Sequence, residues 1–223
     1  MPQSQPRFVI LDRDGVVNLD SDHFIKTPDE WVPIAGSLEA IATLNQAGYR
    51  VVIASNQSGI GRGLFEMSAL NAMHEKMYKG LANLGGRVEA VFFCPHTAAD
   101  NCDCRKPKSG LFEQIGERFG LELRGVPVVG DSLRDLEAGV AVGCIPHLVL
   151  TGKGVKTRDK GTLPAGTRIH DDAKPMPQAP NPRLSAGDTK IIDDWIAAGA
   201  RAGSVACASA AIARSTSAKR WKS

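Results

Sequence analysis

Five short apolar runs, separated by stretches of helical periodicity, constrain the fold more than any other feature of this sequence. The runs are rich in β-branched and aromatic residues and cover residues 7–11, 50–54, 88–93, 126–130 and 147–150. Apolar residues at spacings of three and four occupy the intervening segments 37–48, 67–86, 110–120 and 132–143. This alternation predicts an α/β fold, a doubly wound parallel sheet with helices on both faces.

The second helical segment carries a stripe of large apolar side chains. Its members recur at helical spacing and are Leu70, Met73, Met77, Leu81 and Leu84. Such a stripe is typical of a helix that packs on the core, so we interpret it as packing and not as a cofactor site.

Polar clusters follow four of the predicted strands. They are Asp12 and Asp14, then residues 55–59, 94–96 and 130–132. In parallel sheets, ligands bind outside the carboxyl ends of the strands. A carboxylate that leaves a buried strand is costly unless it is paired or bound to a metal ion. The four clusters therefore predict one polar site at this edge of the sheet.

The residue types at these strand ends suit phosphoryl transfer with Mg²⁺. In such a site, one carboxylate of the Asp12–Asp14 pair would attack phosphorus while the other would move a proton. Asp131 completes a Mg²⁺ site, and Asp135, one helical turn later, either binds the ion or supports it. Ser55 and Lys106 suit phosphoryl oxygens. Taken singly, each residue also fits an ordinary turn, a helix cap or a solvated charge.

A second metal pattern occurs in residues 94–104. The segment reads CPHTAADNCDC and supplies three thiols and one imidazole, from Cys94, His96, Cys102 and Cys104. This set matches closed tetrahedral Zn²⁺, and four protein ligands leave no open position, so we expect a structural ion that staples the loop. A disulfide between Cys102 and Cys104 is a poor alternative, because one intervening residue strains the bridge.

Charge and hydropathy exclude several kinds of partner. The chain has 27 basic and 24 acidic residues, and residues 171–223 contain 8 basic and 5 acidic ones, so the whole excess lies in this tail. A neutral main body argues against nucleic acid as a partner. No run approaches the roughly 18 apolar residues of a membrane span, and the N-terminus lacks the apolar centre of a signal peptide. We expect a cytoplasmic monomer.

The character of the sequence changes near residue 170. Residues 171–188 are rich in proline and read as a linker, residues 189–200 fit a short helix, and the last stretch is basic and rich in alanine and serine. We therefore predict one domain over residues 1–170 and a disordered appendage over residues 171–223.

Together these residues resemble a known superfamily. The segments DRDGVVN (12–18), SNQSG (55–59), CRKPK (104–108) and GDSLRD (130–135) are similar, in order, to the four motifs of haloacid-dehalogenase-superfamily phosphatases. The loop with the cysteines narrows the resemblance to the zinc-containing branch of histidinol-phosphate and heptose-bisphosphate phosphatases. The resemblance spans about residues 7–170 and implies a Rossmannoid fold without a large cap domain.

The resemblance also implies roles for matching residues. Asp12 is the nucleophile that becomes an aspartyl phosphate, and Asp14 is the general acid and then the base. Mg²⁺ is held by Asp12, the backbone carbonyl of Asp14, and Asp131, while Ser55 and Lys106 hold the phosphoryl oxygens. The residues implied to contact a sugar phosphate substrate are Asp20, Ser21, Asp22, His23, Asn56, Gln57, Ser58 and Arg105.

Three functions remain open at this point. The first is Mg²⁺-dependent removal of the C7 phosphate from a heptose 1,7-bisphosphate, which would feed nucleotide-activated heptose synthesis for lipopolysaccharide. Residues 16–18 and 59–63 favour it. The second is hydrolysis of histidinol phosphate, favoured by the short spacing between His96 and Cys102. The third is a zinc-stapled binding protein without catalytic activity.

Overall fold

A six-stranded parallel sheet forms the centre of the protein in a computed structural model that describes residues 7–170. The strands are β1 (Arg7–Leu11), β2 (Tyr49–Asn56), β3 (Ala90–Cys94), β4 (Pro127–Gly130), β5 (Ile145–Val149) and β6 (Arg168–His170). Their order across the sheet is β3-β2-β1-β4-β5-β6, and every pair is parallel. The predicted fold class is confirmed. The predictions for residues 171–223 lie outside the described residues.

Helices connect these strands on both faces of the sheet. They are α1 (Ser37–Gln46), α2 (Ser58–Gly61), α3 (Met67–Asn83), α4 (Gly110–Phe119), α5 (Leu133–Ala141) and α6 (Gly154–Asp159). The four helical patterns in the sequence correspond to α1, α3, α4 and α5. The sequence did not predict α2, α6 or β6, because elements of four, six and three residues are too short to show a period.

The core has two halves, one on each face of the sheet. Alternate residues of β1 divide between them: Val9 and Leu11 pack with α1 and α3, whereas Phe8 and Ile10 pack with α4 and α5. This two-sided burial explains why the strands read as continuous apolar runs.

The apolar stripe of α3 lies in the core as predicted, except at its last member. Leu70, Met73, Met77 and Leu81 are fully buried. Leu84 is 39% exposed, because α3 ends at Asn83 and Gly85 turns the chain away with a φ of 70°.

The strand order places the functional residues. The chain leaves β1 toward β2 on one side and reaches β4 on the other side only later, so a crevice opens at the carboxyl ends of β1 and β4. Asp12 follows β1 and Asp131 follows β4. The amide of Asp12 donates to the carbonyl of Val129 at 2.9 Å, which fixes the two strand ends side by side.

Loops, and not an inserted domain, cover this edge within residues 7–170. The longest connection runs from β1 to α1 over residues 12–36 and carries the buried Trp31. No helix in the described part of the chain has the length and apolar character that crossing a bilayer requires.

Candidate active site

A cavity of about 230 Å³, partly open to solvent, lies at the carboxyl ends of β1, β2 and β4. Its lining brings together residues predicted from five separate sequence segments. They are Asp12, Asp14, Asp20, Ser21, Asp22, Ser55, Asn56, Gln57, Ser58, Arg105, Lys106 and Asp131. Asp135 also lines it. Polar groups from distant parts of the chain therefore converge where the sheet topology predicts a ligand site.

Three carboxylates crowd together at the base of the cavity. Oxygen atoms of Asp12, Asp131 and Asp135 lie within 4.8 Å of one another. Burial and the charge of Asp135 raise the pKa of Asp12 to about 6 and that of Asp131 to about 8. Crowded carboxylate oxygens are the ligands that Mg²⁺ takes in proteins, and a divalent cation would remove the repulsion, so this donor set fits the ion.

A fully buried lysine separates two of these carboxylates. The ammonium of Lys106 lies 3.0 Å from Oδ1 of Asp12 and 2.6 Å from Oδ1 of Asp135, and it donates to the carbonyl of Ala54 at 2.7 Å. Burial alone would lower the pKa of Lys106, but the two carboxylates outweigh it and the pKa rises. The lysine therefore remains a cation beside Asp12.

The end of β2 holds this lysine in place. The side-chain amide of Asn56 donates to the backbone carbonyl of Lys106 at 3.0 Å and accepts from its backbone amide at 3.1 Å. Ser55 is 1% exposed on the same strand end. The two hydrogen bonds between Asn56 and the backbone of Lys106 tie the end of β2 to the 104–108 segment, and Ser55 and Lys106 both line the cavity.

Asp14 is held separately from the carboxylate cluster. Its side chain accepts from Arg13, from Asn18 Nδ2 at 2.8 Å and from Gln57 Nε2 at 2.9 Å. Burial would raise the pKa of Asp14, but the Arg13 guanidinium and these hydrogen bonds outweigh it, so the pKa is lowered. The two aspartates of the motif therefore occupy different electrostatic environments, as two different chemical roles require.

The segment after β5 supports Asp131 and was not recognised in the sequence. The amide of Lys153 donates to Oδ2 of Asp131 at 2.7 Å, and the hydroxyl of Thr157 donates to the Asp131 carbonyl at 2.9 Å. A Cβ atom at Gly15 or Gly152 would lie 2.1 or 2.2 Å from that carboxylate oxygen. Both positions have positive φ and admit only glycine. The sequence signal that could have identified this support is the polar segment TGKG (151–154), which follows β5 and contains two glycines.

Cationic side chains form the outer part of the cavity. Arg62, Arg134 and Lys153 line it in addition to Arg105, and the ammonium of Lys153 lies 2.6 Å from Oδ2 of Asp20. The resemblance implied a role for Arg105 but for none of the other three, because a sequence does not show where a basic side chain points, even when the residue lies within a motif as Arg134 does. Positive charge at this rim suits an anionic ligand.

One predicted residue lies away from the cavity. His23 is exposed and is not among the lining residues, whereas Phe24 and Ile25 are. A turn at this point explains the difference: the amide of His23 donates to Ser21 Oγ, and Phe24 adopts a left-handed φ of 66°. The loop thereby directs Phe24 to the cavity and leaves His23 outside.

The predicted zinc ligands converge beside the cavity. The Sγ atoms of Cys94, Cys102 and Cys104 are 3.2 to 3.6 Å apart, and Nδ1 of His96 lies 3.3 Å from the Cys104 sulfur and 3.7 Å from that of Cys94. Tetrahedral Zn²⁺ with Zn–S bonds of about 2.3 Å separates its ligands by roughly 3.7 Å, so the cluster fits the ion. None of these cysteines forms a disulfide within residues 7–170.

The loop that carries this cluster leads directly to the cavity. Arg105 follows Cys104, and its guanidinium donates to the carbonyl of His96 at 3.1 Å. Lys106 comes next. The conformation of the 94–104 loop therefore determines where the side chains of Arg105 and Lys106 lie.

Comparison with known proteins agrees with this geometry. The family model described as Polynucleotide kinase 3 phosphatase matches residues 8–132, and the model described as HAD-hyrolase-like matches residues 103–174. The D-glycero-beta-D-manno-heptose-1,7-bisphosphate 7-phosphatase of Bordetella bronchiseptica is 56% identical over 166 residues, which are 74% of this chain and 93% of the relative. The enzyme of the same name from Pseudomonas aeruginosa is 57% identical over 164 residues, 74% of this chain and 92% of the relative.

A solved structure gives the same result. The crystal structure of the D,D-heptose 1,7-bisphosphate phosphatase from B. bronchiseptica, complexed with magnesium and phosphate, has a TM-score of 0.72 and 56% identity. The alignment covers 73% of this chain and 91% of that one. The fold, the strand-end cavity and these matches define a phosphatase of the haloacid-dehalogenase class.

The high-identity relatives also identify the family within that class. The chain belongs to the D-glycero-beta-D-manno-heptose-1,7-bisphosphate 7-phosphatase family. The resemblance inferred from the four motifs and the cysteine loop is thereby confirmed.

Proposed function

We propose that this phosphatase hydrolyses the C7 phosphate of D-glycero-β-D-manno-heptose 1,7-bisphosphate to give heptose 1-phosphate. The observation that supports this choice of substrate is the sequence identity, above 50%, to several relatives named for this activity and anomer. Each of them is matched over about 74% of this chain. We further propose that the enzyme acts as a cytoplasmic monomer in the synthesis of nucleotide-activated heptose for lipopolysaccharide.

The proposed reaction divides between the two separately held aspartates. An oxygen of Asp12 attacks phosphorus and forms an aspartyl phosphate while the bond to the sugar O7 breaks. Asp14, which is ionised in the free enzyme and takes up a proton when the anionic ester binds beside it, gives that proton to O7. Asp14 then takes a proton from water, the water attacks the aspartyl phosphate, and inorganic phosphate leaves. Asp12 and Asp14 return to their initial states.

The other cavity residues bind and neutralise the phosphoryl group in this proposal. Mg²⁺ would be held by Asp12, Asp131 and the backbone carbonyl of Asp14, while Asp135, whose Oδ1 lies 2.6 Å from the Lys106 ammonium, would either bind the ion or support it. The ion supplies positive charge that offsets repulsion between the carboxylate nucleophile and the phosphate. Ser55 and Lys106 hold the phosphoryl oxygens. The cavity-lining residues of the predicted substrate set contact the sugar and its second phosphate, apart from Gln57, whose amide is engaged by Arg13, Asp14 and Ser55.

Phosphate release from three substrates, measured side by side with Mg²⁺ and with excess EDTA, tests this function. We expect fast Mg²⁺-dependent release from the β-anomer of heptose 1,7-bisphosphate, with slower release from the α-anomer and from histidinol phosphate. A higher kcat/KM with histidinol phosphate would contradict the proposed substrate. It would agree instead with the short spacing between His96 and Cys102, which favours histidinol phosphate. Release that persists in EDTA would contradict the metal requirement.

We also propose that the cluster of Cys94, His96, Cys102 and Cys104 holds a structural Zn²⁺. Removal of zinc, verified by metal analysis, is expected to lower the melting temperature by more than about 5 °C, because bound zinc contributes folding free energy. Cys102→Ser is expected to lower the zinc content, whereas Cys144→Ala, at a cysteine outside the cluster, retains it. Unchanged melting after verified zinc removal would argue against a structural role.

A further inference from the structure

The side chain of Gln57 forms hydrogen bonds to both Asp14 and Ser55, to which the proposed mechanism gives different tasks. Its Nε2 atom donates to Oδ2 of Asp14 at 2.9 Å and to Oγ of Ser55 at 2.8 Å. Its Oε1 atom accepts from Nη2 of Arg13 at 3.1 Å. Both N–H groups of the amide and its oxygen are therefore engaged within the protein, although the motif resemblance implies that Gln57 contacts the substrate.

The partners of this amide allow only one orientation of it. A guanidinium can only donate and an ionised carboxylate can only accept, so the amide oxygen must face Arg13 and the nitrogen must face Asp14. Gln57 is 4% exposed and Arg13 is fully buried. Rotation of the amide would leave two buried mismatches, which makes this an unusually well-defined side chain.

Arg13 strengthens the same arrangement from the opposite side. Its Nε and Nη2 atoms donate to Asp14 at 3.0 to 3.2 Å, and Nη2 also reaches Gln57. A guanidinium without access to water is costly to bury unless its charge is paired. Its position behind Asp14 therefore orients both the carboxylate and the amide.

The contact with Ser55 has a chemical consequence. The hydroxyl accepts from Gln57 through one lone pair, so its own O–H remains available to donate. Under the proposed function, that O–H binds a phosphoryl oxygen while Asp14 exchanges a proton with the sugar oxygen. These two groups act on the same phosphate ester, and their relative placement must be accurate to a fraction of an ångström.

We propose that Gln57 is a positioning residue, which fixes the distance between the proton-transfer carboxylate of Asp14 and the phosphate-binding hydroxyl of Ser55, with Arg13 setting the orientation of its amide. This inference rests on the proposed function of the site. It assigns Gln57 an effect on the chemical step and not on recognition of the sugar.

Two substitutions separate positioning from space-filling. Gln57→Met keeps the size of the side chain and removes its hydrogen bonds, whereas Gln57→Glu keeps acceptors for Arg13 but cannot donate to Asp14 while ionised. Both are expected to lower kcat by about 100-fold with KM changed less than about 3-fold. The matched control Gln46→Met, at an exposed glutamine at the end of α1, is expected to keep wild-type kinetics.

The kinetics are measured with β-heptose 1,7-bisphosphate and with p-nitrophenyl phosphate, which lacks the sugar. Equal losses of kcat with both esters support positioning. A higher KM for the heptose substrate alone, or wild-type kcat in Gln57→Glu, would overturn it. The generic ester also keeps the two proposals distinguishable: a wild-type enzyme that hydrolysed only this ester would reject the heptose substrate, and the role of Gln57 would still be measured.

Discussion

Replacement of Asp12 by asparagine is expected to abolish phosphate release, with a loss of at least about 10⁴-fold in kcat. The substitution keeps the size of the side chain but removes the carboxylate oxygen that attacks phosphorus, and a neutral amide is a poor nucleophile. It also replaces a charged ligand of the proposed Mg²⁺ site with a neutral amide oxygen. The 94–104 cluster shares no residue with this site, so the zinc content of the purified variant is expected to equal that of the wild type.

A matched control separates this effect from a general loss of one negative charge. Asp159 lies at the end of α6, with a side chain 60% exposed and an ion pair to Arg158. Asp159→Asn is therefore expected to keep wild-type kcat. Substantial turnover by a homogeneous Asp12→Asn preparation would refute the assignment of Asp12 as the nucleophile.

Lys106→Met is expected to damage both activity and stability. The variant loses the cation between Asp12 and Asp135, so phosphoryl oxygens lose their charged donor, and kcat should fall by about 10²- to 10³-fold. It also leaves the buried carboxylate of Asp135 and the largely buried one of Asp12 without their partner. In Mg²⁺-free buffer this should cost on the order of 3–5 kcal/mol in the free energy of unfolding. Steady-state kinetics and denaturant unfolding measure the two effects.

Lys108 provides the comparison, two residues further along the same loop. Its side chain is 45% exposed and pairs with the exposed Asp103 at 3.2 Å. Exposed ion pairs contribute about 0–1 kcal/mol, so Lys108→Met should change stability little and leave kcat intact. If the two lysine variants were equally stable and equally active, the proposed role of the buried ammonium would be wrong.

The sequence predicted the parts of this molecule that depend on periodicity and topology. Buried parallel strands must be continuously apolar, so β1, β2, β4 and β5 were visible, and their carboxyl ends located the cavity. The four residues of the zinc cluster were visible because three thiols and an imidazole at such close spacing are typical of a metal site.

The sequence could not show features that depend on side-chain direction. Arg13 lies between Asp12 and Asp14, and nothing in the motif indicates that it is fully buried behind Asp14. The same limit applies to the amide of Gln57, because its partners lie at the ends of two different strands, β1 and β2. His23 was predicted to reach the cavity, but a single left-handed residue at Phe24 redirects the loop.

Features that depend on short segments were also missed. The three-residue strand β6 forms only because β5 provides a register of partners, His147 with Arg168 and Val149 with His170. The support of Asp131 by the amide of Lys153 is likewise a backbone contact, which any residue type can make apart from proline. Tertiary contacts and not local preference determine both.

The most direct test of the proposed activity is a ³¹P NMR time course of β-heptose 1,7-bisphosphate with the wild-type protein and Mg²⁺. We predict that the C7 monoester signal disappears, inorganic phosphate appears in equal amount, and the C1 phosphate signal persists as heptose 1-phosphate. Loss of the C1 phosphate first, or an unchanged spectrum under conditions where the B. bronchiseptica relative completes the reaction, would contradict the proposal.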